Sequence, residues 1–340
     1  MLNTNIPLIP MRYYVKLIEL LINRNIPIED FLKENNIDLN KFLFKNDVNL
    51  PITYVEKLIE FCLKFPKNRD LAFDLGNSLH LTSHNLVGYA ILTSETLGHA
   101  LNLMTKYFCL IMPSCRASLV INQDKSLMLT IEPSFLMNQI VTNFHLEAIA
   151  VALHKNINEL LQSSNFSYHT FLSISEPLYL DKFNQLKGGK FYFNALHKPC
   201  LRAIFSHELL IRKLPLADDM TLKTIELKCH QQMKEITHSQ DIDEWIHMVL
   251  MNSQQLLTLY EIANLLNISS KTLQRNLNKK NIDIRSIRKN VILNKAKYQL
   301  KNTQKNITEI AHELGYSSSS NFSRSFKRST GVTPEQFRFK

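Results

Sequence analysis

The amino-acid sequence predicts an α+β domain followed by an all-α domain with two helix-turn-helix units joined by a linker helix. Three observations predict it. The last ninety of the 340 residues carry one helical pattern twice, and an internal repeat rarely arises by chance. The first two-thirds mix apolar residues at helical spacing with alternating runs. Charge is also divided along the chain. Residues 251–340 hold 16 Lys and Arg against 5 Asp and Glu, whereas the whole chain holds 40 against 30. The net charge of +10 therefore lies entirely in the C-terminal part, and residues 1–250 are close to neutral. A chain of this length gives each of two domains its own core.

In chain order, Tyr13 to Ile22 is apolar at helical spacing, and Pro27 ends the turn that follows. Tyr54 to Leu63 and Leu97 to Leu110 predict further helices. Arg116 to Ile121 and Ser126 to Ile131 predict two strands joined by a turn over Asn122–Lys125. Asn138 to Leu161 predicts a long helix. Tyr168 to Ser175 alternates like a strand, as does Cys200 to Phe205, and Gly188-Gly189 reads as a turn. Leu222, Ile225, Cys229, Met233 and Ile236 make a helical apolar stripe. That stripe either packs on its own domain or forms a dimer helix. Asp241 to Met251 then opens the second domain. The expected division is 1–236 and 238–340, with the boundary near Thr237 to Gln240.

The two copies of the pattern fall at about 258–280 and 306–330. The first reads Glu261-Ile262-Ala263, Asn267, Ser269, then Leu273-Gln274-Arg275-Asn276-Leu277. The second reads Glu309-Ile310-Ala311, Gly315, Ser317, then Phe322-Ser323-Arg324-Ser325-Phe326, with one extra residue after the serine. In the first, Ile262, Leu265 and Leu266 share a face, and small Ala263 lets the next helix approach. Asn267 and Gly315 stand where the chain must turn, and both residue types tolerate a left-handed backbone. Ser269 or Ser270, and Ser317 or Ser318, are candidate caps of the second helix of each pair. Leu273 and Leu277 point inward, as do Phe322 and Phe326. Between the copies, Ile284 to Leu300 predicts the linker helix, with Ile287, Val291, Lys295 and Tyr298 on one face and Ile292 and Ala296 beside it.

The outer face left by this packing suits a major groove. Arginine can bond two acceptors of guanine and glutamine two groups of adenine, and a good pair discriminates by about 1–3 kcal/mol. Short Ser319, Ser320 and Ser323 would let the backbone lie close to the bases. A basic domain beside a near-neutral one points to a polyanionic partner. A basic membrane-surface face explains the charge less well, because the cations are spread over several short helices. Two recognition helices on one duplex face should sit about one turn apart, roughly 34 Å.

These residues resemble the AraC/XylS family of bacterial transcription regulators. The resemblance rests on Ile307 to Tyr316, on Phe322 to Arg328, and on Thr330-Gly331-Val332-Thr333-Pro334-Glu335-Gln336-Phe337-Arg338. Thr96 to Leu103 and Phe205 to Asp219 extend it to the branch with an arabinose-binding-like N-terminal sensor domain. The chain departs from the family at Asn281, where Gly is usual, and at Ile292, where Arg is usual. The resemblance implies a sensor domain ahead of the DNA-binding domain. The residues expected on DNA are Ser270, Lys271, Gln274 and Arg275 in the first unit. In the second they are Ser318, Ser319, Ser320, Ser323 and Arg324, with Lys327 on phosphate. Expected partners are double-stranded DNA, RNA polymerase, a small-molecule effector (a fatty acid or an amino acid such as ornithine) and a second copy in a homodimer. Activation is expected over repression.

Other classes find little support. Residues Met1 to Pro10 lack a secretion signal, no run approaches a membrane span, and five cysteines without CxxC spacing read as reduced thiols. A cytoplasmic protein is expected, without membrane, metal or cofactor. His80 and His84 stand four apart but lack the adjacent glutamate of a zinc protease helix. There is no GxSxG, no phosphate loop and no complete dinucleotide fingerprint. Arg116, Lys190 and Arg202 are the cations open to an effector head group, each read as a surface charge. The alternatives are a sensor that serves only as a scaffold, and an enzyme fused to a DNA-binding domain.

Overall fold

The computed structural model describes the chain except for residues 1–7, 36–48, 134–136, 164, 239–241, 243–245, 247–249, 251–256, 266–267, 304 and 339–340. The chain forms two compact units that divide between Gln232 and Met233.

The N-terminal unit begins with a small ribbon of β1 (Leu8–Pro10) and β2 (Asn49–Pro51), paired antiparallel. Helices α1 (Met11–Asn23), α2 (Ile28–Glu34), α3 (Ile52–Leu63), α4 (Leu71–Ser78), α5 (Asn85–Leu92) and α6 (Leu97–Lys106) accompany and follow it. Then come β3 (Cys115–Ile121) and β4 (Leu127–Pro133), the long helix α7 (Gln139–Leu161), and strands β5 (Tyr168–Leu172), β6 (Gly189–Tyr192) and β7 (Leu201–Phe205). Helix α8 (Asp219–His238) runs across the division. The sheet order is β3-β4-β7-β5-β6; only β5 and β6 are parallel.

Alternation explains the sheet. Leu127, Leu129 and Ile131, Leu201, Ala203 and Phe205, and Tyr168, Thr170 and Leu172 are all buried, while the strand residues between them are half-buried or exposed. Asn138 caps α7 by accepting the Val141 N–H at 2.8 Å. α7 carries sixteen buried residues, too many for one stripe, so it is the central helix of the unit. α4 lies against it through Gly76, where a Cβ would stand 2.4 Å from the Ala148 carbonyl oxygen and 2.8 Å from Val151 Cβ.

Three expectations change here. The helix expected over Leu97–Leu110 breaks at Tyr107, whose ψ of 18° leaves helical geometry; its hydroxyl reaches Glu226 of α8 at 3.2 Å, and a separate turn covers Phe108–Ile111. The strand expected to Ser175 ends at Leu172, because Ser173 turns to exchange hydrogen bonds with Cys200. Gly188 makes the turn with φ +90°, but Gly189 opens β6. In α8, Leu222, Cys229 and Met233 are buried, while the opposite side exposes Met220 and Leu227. The five cysteines are thiols, and burial pushes Cys62, Cys109 and Cys115 up to about 12.

In the C-terminal unit, Ile242, Ile246 and Leu250 are helical and buried. Six helices follow: α9 (Leu259–Leu265), α10 (Ser270–Lys279), α11 (Ile284–Asn302), α12 (Ile307–Glu313), α13 (Ser319–Thr330) and α14 (Pro334–Arg338). They build two cores. The first gathers Ile242, Ile246, Leu250, Ile262, Ala263, Leu273, Leu277 and Val291; the second gathers Ala296, Leu300, Ile310, Ala311, Leu314, Phe322 and Phe326. α11 is the linker helix. Its first half supplies Val291 to one core and its second half supplies Ala296 and Leu300 to the other. The face expected from Ile287 to Tyr298 is corrected: Tyr298 is exposed, and the apolar side winds from Val291 through Ala296 to Leu300.

Candidate nucleic-acid interface

Each helix pair starts with a reciprocal cap. The Thr258 backbone N–H donates to Glu261 Oε2 at 2.6 Å, and the Glu261 N–H donates to Thr258 Oγ1 at 3.2 Å. In the second pair, the Asn306 N–H donates to Glu309 Oε2 at 2.8 Å, and the Glu309 N–H donates to Asn306 Oδ1 at 2.9 Å. The glutamate of the repeated motif is thus half of a capping box. The Ile and Ala beside it are buried in both copies. The turns also correspond: the Ile268 N–H donates to the Ala263 carbonyl and the Tyr316 N–H to the Ala311 carbonyl. Gly315 makes its turn at φ +81°. Leu266 and Asn267 lie outside the described residues.

The recognition helices are then anchored. Ser269 caps α10 by accepting the Thr272 N–H at 3.1 Å, and Ser318 caps α13 by accepting the Asn321 N–H at 3.2 Å. Leu273 and Leu277 are buried on α10, Phe322 and Phe326 on α13. Lys271 and Arg275 are left exposed, with Ser270 and Gln274 half-buried beside them. On α13, Ser320, Arg324 and Lys327 are exposed, and Ser319 and Ser323 half-buried. Gln274 Nε2 donates to Asn278 Oδ1 at 2.8 Å, and Arg324 Nη2 donates to Asn321 Oδ1 at 2.6 Å. These two asparagines hold Gln274 and Arg324 along their helices and were not singled out in the sequence. An asparagine four or three residues away on the same face is the signal that could have found them.

The exits match as well. Asn281 takes φ +54° after α10, and Gly331 takes φ +80° after α13. Asparagine therefore does the conformational work of the usual glycine. Ile292, in place of the usual arginine, packs against the second core. The structure thus collects Ser270, Lys271, Gln274 and Arg275 on one short helix, and Ser318, Ser319, Ser320, Ser323, Arg324 and Lys327 at the start and outer side of another. An exposed cationic helix whose inner side is fixed to a core can enter a major groove without unfolding anything.

The histidine pair weighed for metal has other partners. His84 is buried between the Tyr13 hydroxyl and Asn156, at 2.9 and 3.0 Å, and His80 bonds Glu159. No cluster of three potential ligands occurs among the described residues. No described helix is long and apolar enough to cross a membrane.

Comparison with known proteins gives both parts a place. Residues 262–340 match the family described as "Helix-turn-helix domain", and residues 28–214 match "Arabinose-binding domain of AraC transcription regulator, N-term". The ornithine utilization regulator of Pseudomonas aeruginosa is 24% identical over 273 residues, 79% of this chain and 78% of that one. An uncharacterized HTH-type transcriptional regulator of Mycobacterium tuberculosis is 23% identical over 291 residues, 84% of this chain and 82% of that one. The crystal structure of transcriptional regulator CdpR from Pseudomonas aeruginosa aligns over 97% of this chain and 98% of its own, with 17% identity and a TM-score of 0.46. With its N-terminal match alone covering more than half of its residues, and a helix-turn-helix match behind it, the chain belongs to the AraC family of DNA-binding transcription regulators.

Proposed function

We propose that this regulator is a cytoplasmic activator that reads duplex DNA with α10 and α13 and is controlled by a small molecule held in its N-terminal domain. Residues 1–236 form the sensor and residues 238–340 the DNA-binding domain, with α11 fixing the two recognition helices in one register. The observation that carries this reading is the matched exposure of Arg275 and Arg324, each on a helix anchored by a buried pair. Lys271, Gln274, Ser270, Ser318, Ser319, Ser320 and Ser323 complete the contact set, and Lys327 holds phosphate.

Activation requires contact with RNA polymerase. The relative described as a urease operon transcriptional activator, 29% identical over 92 residues, supports that direction of control. A homodimer would have to form away from the buried side of α8, and exposed Met220 and Leu227 offer the free side. An effector is supported by the N-terminal family match and by the amino-acid-related regulator among the relatives.

Selection of bound fragments from random DNA with the full chain tests the DNA reading. The expected result is one motif whose two conserved parts lie about ten base pairs apart. Bound fragments without a common motif would refute it. Transcription in vitro from a selected fragment with RNA polymerase tests the direction: transcript should rise with added protein, and a fall makes the protein a repressor.

A further inference from the structure

The five-stranded sheet ends in two edge strands, and they differ. At one end stands β6, four residues long, opening on Gly189 and carrying exposed Lys190. A short strand and an edge lysine are ordinary guards against pairing with another chain. At the other end stands β3, seven residues long and paired only with β4. It has no proline and no lysine. Its one charge, Arg116, is taken up by Glu132 of β4 at 2.7 Å.

The direction of the backbone groups follows from the hairpin. The Asn122 N–H donates to the Ser126 carbonyl at 2.9 Å, and the register then pairs Ile121 with Leu127. Hydrogen-bonded and non-bonded pairs alternate along an antiparallel ladder. The N–H and C=O groups of Arg116, Ser118 and Val120 therefore face β4, and those of Ala117, Leu119 and Ile121 face away from it. The Cys115 N–H, in the same outward series, already donates to the Met112 carbonyl at 3.0 Å. Beyond Cys115, none of the described residues pairs with the outer side of β3. The side chains are open on that side too. Ala117, Leu119 and Ile121 stand opposite Ile131, Leu129 and Leu127, on the face that forms the core. Leu127 and Leu129 are buried, whereas Leu119 is half-buried and Ile121 is 75% exposed. The core face runs off this edge of the sheet uncovered.

We propose that β3 pairs antiparallel with β3 of a second copy, about a twofold axis at Leu119, joining two sheets into one. This rests on the homodimer reading above and puts its contact on β3 rather than on α8. The strand is complementary to itself. Centred on Leu119, the pairing sets Ala117 against the partner's Ile121 and Leu119 against the partner's Leu119, so all three outward residues of each copy are bonded. Moved to Ser118, the centre sets Ile121 against the partner's Cys115, whose N–H is occupied. Moved to Val120, it leaves Ala117 opposite the turn. On the core face, small Ala117 beside the partner's large Ile121 closes the uncovered strip. On the other face, Arg116 stands opposite the partner's Asn122, so no like charges meet. A second copy brings a strand of the required length, polarity and spacing by symmetry.

Sedimentation of the full chain over a range of concentrations, with hydrogen exchange read at β3, tests this. The expected result is a dimer in which the Leu119 and Ile121 amides are protected. Ile121→Lys sets a charge on an exposed edge site and should weaken the dimer on the order of a hundred-fold, about ten-fold for each copy. Leu119→Pro removes an N–H that the β3–β4 ladder does not use, and should act in the same way. If Leu119→Pro fails to fold, Ile121→Lys decides alone. Leu227→Glu, on the exposed side of α8, should leave the dimer intact. A dimer lost with Leu227→Glu and kept with Ile121→Lys overturns the proposal, and the homodimer reading then stands on α8. A dimer whose β3 amides exchange freely overturns it as well. A chain that stays monomeric at every concentration ends both readings.

Discussion

The two units keep their polar chemistry in opposite places. The C-terminal unit buries hydrocarbon and turns the arginines and lysines of α10 and α13 outward. The N-terminal unit buries histidines. His84, His145 and His154 are each about 97% or 92% enclosed, and burial pulls each of them down to about 4, aided at His84 by the Arg12 charge. Each has a tyrosine hydroxyl at one nitrogen: Tyr13, Tyr14 and Tyr168. His84 and His154 also accept from an asparagine amide, Asn156 and Asn158. An amide N–H aimed at a ring nitrogen requires a lone pair there, so these rings are built to stay neutral. One unit carries its charge on the outside; the other holds its buried rings neutral.

The sharpest way to break this contrast is acid. A histidine held near 4 in the folded chain and near 6.5 in the unfolded one leaves stability intact above pH 6.5. As pH falls below that, the unfolded chain takes up protons the folded chain refuses, and stability is lost until about pH 4. By pH 5 the loss is on the order of 2 kcal/mol for each ring. Glu147 runs the other way. Burial raises it to about 7, so its protonation offsets part of the loss. The net expectation is a clear drop in the melting temperature of the N-terminal unit between pH 7 and pH 5, several kcal/mol in all, while the C-terminal unit changes little. Hydrogen exchange read separately over residues 85–161 and 307–338 checks this. Equal acid sensitivity of the two regions would erase the contrast.

The same contrast explains what was legible beforehand. In the C-terminal unit every working feature is local. The Glu–Ile–Ala motif, the capping serine and the inward pair lie within one short stretch, so spacing alone put Arg275 and Arg324 outside. The internal repeat then supplied a check on each assignment. Even there, the capping boxes at Thr258 and Asn306 passed unnoticed, although each is written as a residue followed three later by glutamate. In the N-terminal unit the histidine partners are distant. Tyr13 and His84 are 71 residues apart, and Tyr14 and His145 are 131 apart. No periodicity connects them, so these pairings were invisible. The long helix and the strands of the sheet were legible from their patterns. α4 and α5 were not, because each is eight residues long and apolar on several sides.

A second test acts on the packing side of the comparison. Phe322 and Leu273 hold corresponding places, and each is almost wholly buried. Phe322 also meets Tyr316 and Phe326 edge-on or tilted, at 5.4 and 5.7 Å between ring centres. Phe322→Ala should cost about 3–5 kcal/mol and Leu273→Ala about 2–5 kcal/mol. Denaturant unfolding followed by helical signal checks both. Because α11 serves both cores, either substitution should also weaken DNA binding well beyond the loss of its own helix.

The outward face allows a finer comparison between the two halves. Arg324→Ala should cost about 1–3 kcal/mol of affinity and blur the preference at one base pair, with Arg275→Ala doing the same at a different position. Competition between the selected fragment and its single-base variants measures this. Arg324 already bonds Asn321, so Asn321→Ala should loosen the side chain and lower selectivity by less than loss of the arginine itself. An Arg324→Ala protein that keeps full affinity and selectivity would assign the reading to α10 alone.

Lys327 gives the smallest and most diagnostic effect. It stands about one turn beyond Arg324 on α13, exposed and near the helix end. On the proposed reading a lysine there meets phosphate, which carries no sequence information. Lys327→Ala should therefore weaken every duplex by the same factor. It should also flatten the slope of log affinity against log salt by about one unit, because one fewer counterion is released. Titrations at several salt concentrations, on the selected fragment and on a scrambled one, separate the two residues on α13. Loss of selectivity without a change in slope would move Lys327 from the phosphates to the bases.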